Sequence, residues 1–195
     1  MDARVGRVAV IALLDLHGSG MPEGVEYIGR AGRSGVPARS PLSNPFGVDK
    51  HGIDAALRLY RIHLAGALAS ADPVIIRELA RLGQLADAGG LTLGCWCATR
   101  QAHIEGRGGA EPSARCHGDI VATVLVHWGV RLSTHARARS SSDTAGPERW
   151  AAWVARDLGA HAQAVLASCF GFAEVGRMAS DSPAIAAGMP DWLHR

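Results

Sequence analysis

The sequence lacks a hydrophobic run long enough to cross a membrane. A helical span needs about twenty apolar residues, and the longest early candidate, VAVIALLDL, is short and is interrupted by Asp15. We interpret this run as a buried strand. Without a membrane span or a secretory signal, we expect a cytoplasmic protein with no membrane partner.

Excess charge of one sign is also missing. The formal net charge is +2, from 20 Lys and Arg against 18 Asp and Glu, and lysine occurs once, at Lys50. Proteins that bind polynucleotides neutralise phosphates with clustered basic residues. No such block of like charge occurs in this chain, so we expect no polynucleotide partner.

Cysteine is scarce, but its distribution is informative. Four cysteines in 195 residues are too few for the dense disulfide framework of a small secreted fold. Three of them lie between residues 95 and 116, and in a reducing compartment such clustering indicates a metal site or reactive thiols. Cys169 lies in the apolar segment VLASCFGF, where a buried small hydrophobic residue is the expected role.

The order of the apolar patterns predicts an α/β fold. We expect a small parallel-type, Rossmann-like sheet flanked by helices, with a C-terminal helical extension. Residues 5–14 have the composition of a strand buried on both faces, VEYIGR reads as a second short strand, and LTLGCWC reads as a third. Residues 30–50 are rich in Gly, Pro, Ser and Arg and are predicted to be irregular.

Three helices are predicted around these strands. Apolar residues recur at spacings of three and four over residues 52–69, and a second helix is expected over residues 73–86 with Asp72 as its N-cap. The segment CHGDIVATVLVHW predicts a third helix that begins near His117. The predicted domains are an α/β core over residues 1–132 with an inserted loop at about 99–115, a linker over 133–147, and a helical extension over 148–195 that packs on the core or forms a homodimer contact.

The cysteine cluster falls where a strand ends and a helix begins. In parallel α/β folds ligands bind at this junction, and the field of the helix terminus stabilises a thiolate there. Thiolates with an imidazole suit iron or zinc, so we predict a metal site formed by Cys95, Cys97, Cys116 and His117. The C-x-C spacing is not that of an ordinary zinc finger. A closed four-ligand zinc site without chemistry, or thiols that are simply buried, are the alternatives.

Several segments together resemble a known family. VEYIGR, SPLSNPFGVDKHG, ALRLYRIHL, LGCWC and CHGDIVATVL occur in the order of the bacterial and phage family catalogued as domain of unknown function 4326. The resemblance covers about residues 27–125. The chain differs by having Ser43 in place of a glycine and by the long insertion between the second and third cysteines, which carries His103 and Glu105 and could act as a lid.

The resemblance implies that Arg30, Asn44, Arg61 and Asp119 belong to the same constellation as the cysteines. Arg30, Asn44 and Arg61 are predicted to bind substrate: Arg30 by clamping a phosphate or carboxylate, Asn44 by reading a heterocycle. His117 and Asp119 are predicted to be catalytic. Each has a structural alternative: a surface ion pair for Arg30, a turn bond for Asn44, a solvated side chain for Arg61, and a helix cap for Asp119.

Three functions are compatible with these residues. The favoured one is a metalloenzyme that transforms a nucleoside-like or heterocyclic small molecule, with oxygenase-type chemistry if the metal is iron and hydrolase-type chemistry if it is zinc. An oxidoreductase step in specialised biosynthesis is the expected setting. The alternatives are a metal-free nucleotide-binding glycosidase or transferase, and a zinc-stapled binding module without catalysis.

Overall fold

A computed structural model of the chain describes residues 8–13, 21–31, 38–70, 72–96 and 116–126, together with residues 177 and 180. Over these residues the elements in chain order are β1 (Val8–Ala12), β2 (Val25–Tyr27), α1 (Val48–His51), α2 (Ile53–Ala69), α3 (Pro73–Gly89) and β3 (Leu91–Cys95). A further helix, α4, begins at residue 117 and is described as far as residue 126. None of the helices in these ranges is long and apolar enough to span a bilayer.

The three strands form one parallel sheet in the order β1-β3-β2. Val10 lies opposite Leu93 across the β1–β3 pair, and Tyr27 lies opposite Gly94 across the β2–β3 pair. Because all three strands run the same way, their carboxyl ends meet at one edge of the sheet. That edge is where ligands bind in parallel α/β folds.

The central strand is β3, although the first strand has the most apolar sequence. Leu91, Leu93, Gly94 and Cys95 of β3 are buried, whereas Ala9 of β1 is exposed. The prediction that the first strand is buried on both faces is therefore wrong at Ala9. Apolar composition indicates that a segment is a strand, but the position of that strand in the sheet depends on pairing between distant segments.

The described residues belong to two compact units. The first unit comprises Met1–Tyr60 and Leu85–Thr123, and the second comprises Arg61–Gln84 and Val124–Arg195. The sheet lies in the first unit. The buried hydrophobic residues of the first unit include Leu13, Ile28, Leu42, Leu57, Tyr60, Leu93 and Ile120. Those of the second unit include Leu64, Leu68, Ile76, Leu79, Leu82 and Val124.

Both long helices agree with the sequence prediction. Along α2 the residues at spacings of three and four are buried, as the apolar stripe requires. The side chain of Asp72 caps α3, since its Oδ1 accepts the backbone N–H groups of Val74 and Ile75 at 2.9 and 3.2 Å. Of the predicted helical extension over 148–195, only Arg177 and Ser180 lie within the described residues, and both are helical.

Candidate functional site

Two of the predicted thiols meet at the carboxyl edge of the sheet. Cys95 is the last residue of β3, and Cys116 directly precedes α4. Their Sγ atoms lie 3.4 Å apart and both residues are fully buried. The two residues are not joined by a disulfide. Strand and helix thus bring together two sulfur atoms that are separated by 21 positions along the chain.

Asp119 holds the backbone of Cys116 at the start of α4. The Oδ2 atom of Asp119 accepts the N–H of Cys116 at 3.1 Å, and the N–H of Asp119 donates to the carbonyl of Cys116 at 3.2 Å. In this interaction a carboxylate in the first helical turn accepts the backbone N–H of the N-cap residue, as in a capping box. The capping alternative for Asp119 is the one that the structure shows, and its catalytic role stays a prediction. Through the cap, Asp119 fixes the backbone from which the Cys116 side chain extends.

His117 is buried and anchored to β2. The residue is 3% exposed, and its Nε2 lies 2.8 Å from the backbone carbonyl of Ile28. A carbonyl oxygen can only accept, so Nε2 donates the proton in this bond. The ring also meets Tyr60 edge to face, with centroids 5.4 Å apart. The N–H of Ile28 donates to the carbonyl of Gly94 in β3 at 3.0 Å. The bond from His117 to Ile28 therefore connects α4, through Ile28, to the end of β3.

Gly118 lies where there is no room for a side chain. A Cβ atom at this position would be 2.6 Å from Cγ1 of Val10 and 3.2 Å from Sγ of Cys116. The first contact is far inside the 3.5–4.0 Å separation that two carbon atoms prefer. Gly118 therefore lets the start of α4 pack directly on β1. The glycine of the CHGD sequence has a packing role that the sequence analysis did not assign.

A loop over residues 38–47 is held against α2 by buried hydrogen bonds. The Tyr60 hydroxyl donates to the carbonyl of Leu42 at 2.6 Å. The N–H of Leu42 in turn donates to Oγ of Ser40 at 3.1 Å. The N–H of Ser40 donates to the carbonyl of Gly29 at 3.1 Å, which joins the loop to the segment that follows β2. The loop is irregular, as predicted, but its backbone is fixed at several points.

Asn44 is part of this support. It is 6% exposed, its Oδ1 accepts the N–H of Phe46 at 2.9 Å, and its Nδ2 donates to the carbonyl of Ala56 at 3.3 Å. The first bond is the turn interaction that the sequence offered as the alternative role. Both ends of the amide are thus used within the protein. The predicted contact between Asn44 and a heterocycle is not tested by the structure.

The two arginines predicted to bind substrate lie in different units. Arg30 follows β2 in the first unit and is exposed. Arg61 is on α2 in the second unit and is partly buried, directly after the buried Tyr60. Tyr60 is a core residue, as predicted from the divergence of adjacent side chains on a helix. The binding roles of both arginines stay predictions.

Part of the predicted metal site falls outside the described residues. Cys97, His103, Glu105 and the rest of the inserted loop at 99–115 are among the residues not described, as is the linker over 133–147. Within the described ranges, no group of three or more His, Cys, Asp or Glu residues is placed to hold a metal ion. The structure therefore brings together the sulfurs of Cys95 and Cys116, and the predicted third thiol is not tested.

Tyr60→Phe tests whether the loop over residues 38–47 depends on the bond to Leu42. The substitution keeps the ring and its contact with His117 but removes the hydroxyl, which leaves a buried carbonyl without its donor. We expect the free energy of unfolding to fall by about 1–2 kcal/mol, measured by urea denaturation. Tyr60→Leu, which also removes the ring, should cost more. An unchanged unfolding midpoint for Tyr60→Phe would show that the bond contributes nothing to stability.

Comparison with known proteins identifies one family. A family model described as "Domain of unknown function (DUF4326)" matches residues 14–127, which is more than half of the chain and confirms the resemblance seen in the sequence. The match includes the strand, loop and helix that carry the two buried thiols. No curated protein and no solved structure matches the chain.

Proposed function

This chain belongs to the family described as "Domain of unknown function (DUF4326)", and from its buried thiol pair we propose that it is a metal-dependent enzyme that transforms a nucleoside-like or heterocyclic small molecule. The metal is iron or zinc held by cysteine thiolates. The residues proposed to hold it are Cys95 and Cys116, with Cys97 as the third thiol.

The observation that carries this proposal is the 3.4 Å distance between the Sγ atoms of Cys95 and Cys116. Two thiolates that share a tetrahedral zinc ion at about 2.3 Å are about 3.8 Å apart. The two sulfurs therefore need to separate by only a few tenths of an ångström to bind one ion. The pair lies at the edge of the sheet where ligands bind in parallel α/β folds.

The position of Cys116 at a helix terminus also supports the proposal. Cys116 is the residue before α4, where the partial positive charge of the helix terminus stabilises an anion. Metal binding requires deprotonated cysteines, so this position lowers the cost of loading the site. Asp119 contributes by holding the Cys116 backbone.

His117, which directly follows Cys116, supplies a further polar group. Its Nε2 proton is committed to the Ile28 carbonyl, and hydrogen bonds of this kind orient imidazoles that bind metals or move protons. We propose that His117 acts from this anchored position as the acid and base of the reaction. Edge contact with Tyr60 restricts the rotation of the ring.

Elemental analysis tests this proposal directly. We expect protein purified without a metal-affinity column to contain about one iron or zinc ion per chain, measured by inductively coupled plasma mass spectrometry. Absence of metal, together with failure to take up iron or zinc after anaerobic reduction of the thiols, would contradict the proposal. It would then favour the metal-free glycosidase or transferase.

The same preparation separates an enzyme from a stapled binding module. Protein loaded with iron under anaerobic conditions is mixed with a panel of nucleosides and nucleotides, and oxygen uptake and product masses are measured. Oxygen uptake that depends on one of these compounds indicates oxygenase chemistry, whereas hydrolysed products with zinc indicate a hydrolase. Bound metal without turnover of any compound in either form favours a structural role for the ion.

A further inference from the structure

Two guanidinium groups extend from neighbouring backbone positions beyond the carboxyl end of β2. The N–H of Ser40 donates to the carbonyl of Gly29, so Arg30, which follows Gly29, and Arg39, which precedes Ser40, flank a single hydrogen bond. Both arginines are exposed. They belong to the first unit, which also contains Cys95 and Cys116.

The guanidinium of Arg39 is positioned by a specific contact. The Nε of Arg39 donates to Oγ of Ser43 at 2.9 Å, and Ser43 is 2% exposed, so one edge of this side chain is fixed on a buried hydroxyl. The Nη1 of Arg30 lies 3.7 Å from the point that a Cβ would occupy on Gly47. That separation is an ordinary van der Waals distance, so the Arg30 guanidinium lies beside Gly47.

No carboxylate in the described part of the chain pairs with Arg30 or Arg39. One described ion pair, between Arg81 and Glu78, lies elsewhere, on α3. Asp49 follows Gly47 by two residues and is exposed, but it forms no ion pair with either arginine. Two cationic residues at neighbouring backbone positions, without a carboxylate partner, leave a local excess of positive charge that an anionic ligand would neutralise.

The loop that carries Arg39 is already ordered. Buried bonds from Tyr60 to Leu42 and from Asn44 to Ala56 hold its backbone on α2. A ligand that binds to a preformed site does not have to supply the free energy of ordering a loop. This distinguishes Arg30 and Arg39 from arginines on unconstrained surface segments.

We propose that Arg30 and Arg39 form a subsite for a phosphate group. One guanidinium fork satisfies the two oxygens of a carboxylate, whereas a phosphate offers three peripheral oxygens and two negative charges, which suit two forks. Arg30 follows β2 at the edge of the sheet that also carries Cys95, so we assign this phosphate to the substrate. That assignment rests on the proposed function, and it makes the substrate a nucleotide rather than a free nucleoside.

Isothermal titration calorimetry on the full chain tests the subsite with inorganic pyrophosphate, inorganic phosphate and succinate. We expect both phosphates to bind, with affinity that falls as salt rises. Arg30→Met and Arg39→Met should each weaken pyrophosphate binding by about tenfold or more. Arg77→Met is the matched control, because Arg77 is an exposed arginine on α3, and it should leave the affinity unchanged.

Further variants separate positioning from folding. Ser43→Ala should weaken pyrophosphate binding in the wild-type background and have no further effect in Arg39→Met, because Ser43 acts through Arg39. Arg30→Lys keeps the charge and should retain weakened binding. Urea denaturation of each variant verifies that it is folded. If Arg30→Met unfolds the chain, Arg30→Lys gives the result for that position.

Three results would overturn the subsite. They are the absence of pyrophosphate binding to the wild type, equal weakening by Arg77→Met, and succinate binding as tightly as phosphate, which would replace the phosphate assignment with a carboxylate. Metal content is measured on the same samples. If the wild type contains metal but binds no anion, the subsite alone is overturned. If it binds the anion but takes up no metal, the proposed metal-dependent enzyme is overturned and the subsite is retained.

Discussion

The double variant Cys95→Ser, Cys116→Ser is expected to lose its metal almost completely. Serine is close to cysteine in size but remains a neutral hydroxyl near pH 7, so it cannot replace a thiolate as a ligand for iron or zinc. Because two ligands are removed together, we expect the metal content to fall from about one ion per chain to almost none, measured by mass spectrometry after dialysis against a weak chelator.

The single variants and a third cysteine sharpen this result. Cys95→Ser and Cys116→Ser should each lower the metal affinity strongly, because their sulfurs are 3.4 Å apart and would share one ion. Cys169→Ser is the control, since Cys169 lies far from the cluster in sequence and is predicted to be a buried small residue. Cys97→Ser tests the third proposed ligand and should resemble the other two.

The stability of these variants distinguishes a shared ion from a packed pair. If Cys95 and Cys116 hold an ion, chelation should destabilise the wild type and leave the double variant unchanged, because binding free energy adds to folding free energy. If they are only packed against each other, serine substitution should cost stability equally with and without chelator. Full metal retention in the double variant would contradict the proposed site.

The local elements were predictable because their signals are local. The helical spacing of α2, the Asp72 cap of α3 and the short strand that ends at Cys95 each depend on residues within one segment. The start of α4 near His117 followed from the same kind of pattern. The proximity of Cys95 to Cys116 was also anticipated, since a strand end and the next helix start meet at one edge of a parallel sheet.

The pairing between distant segments was not predictable from one sequence. Nothing in the pattern of residues 5–14 showed that β3 would lie between β1 and β2 in the described sheet. The partner of His117 is a backbone carbonyl 89 positions away, at Ile28. A backbone acceptor has no side-chain signature, so this anchor depends on the sheet order.

Two residues were missed although their sequence context was visible. Arg39 lies in the Arg- and Ser-rich loop that was predicted to be irregular, but its fixation by Ser43 depends on the folded loop. The glycine in CHGD belongs to the segment that carries the family resemblance, but the sequence alone gave it no physical role. The structure gives Gly118 that role, because the first turn of α4 packs on β1 with no space for a methyl group.

Gly118→Ala is expected to destabilise the protein even though it lies in a helix. Alanine is favoured over glycine in a helix by about 1 kcal/mol, so propensity alone predicts a gain. The added methyl would lie 2.6 Å from Cγ1 of Val10, a stiff β-branched side chain that cannot easily turn away. Overpacking of this kind typically costs about 1–3 kcal/mol. At this distance we expect a cost in the upper part of that range, which is larger than the propensity gain.

Two further variants determine whether the clash with Val10 is the cause. Gly89→Ala adds a methyl at the end of α3, where no heavy atom lies within 4 Å, and should be neutral or slightly stabilising in urea denaturation. Val10→Ala combined with Gly118→Ala removes the obstructing methyl group, so the double variant should lose less stability than the sum of the two single changes. Additive losses would exclude the contact with Val10 as the origin of the effect.

The same methyl tests the connection between packing and the proposed site. It would lie 3.2 Å from Sγ of Cys116, which is tight for carbon against sulfur, so relief of the clash should displace the sulfur from Cys95. We therefore expect Gly118→Ala to weaken metal binding as well as folding, whereas Gly89→Ala should change neither. Unaltered metal affinity in a destabilised Gly118→Ala protein would show that the Cys116 sulfur does not depend on the packing of α4 against β1.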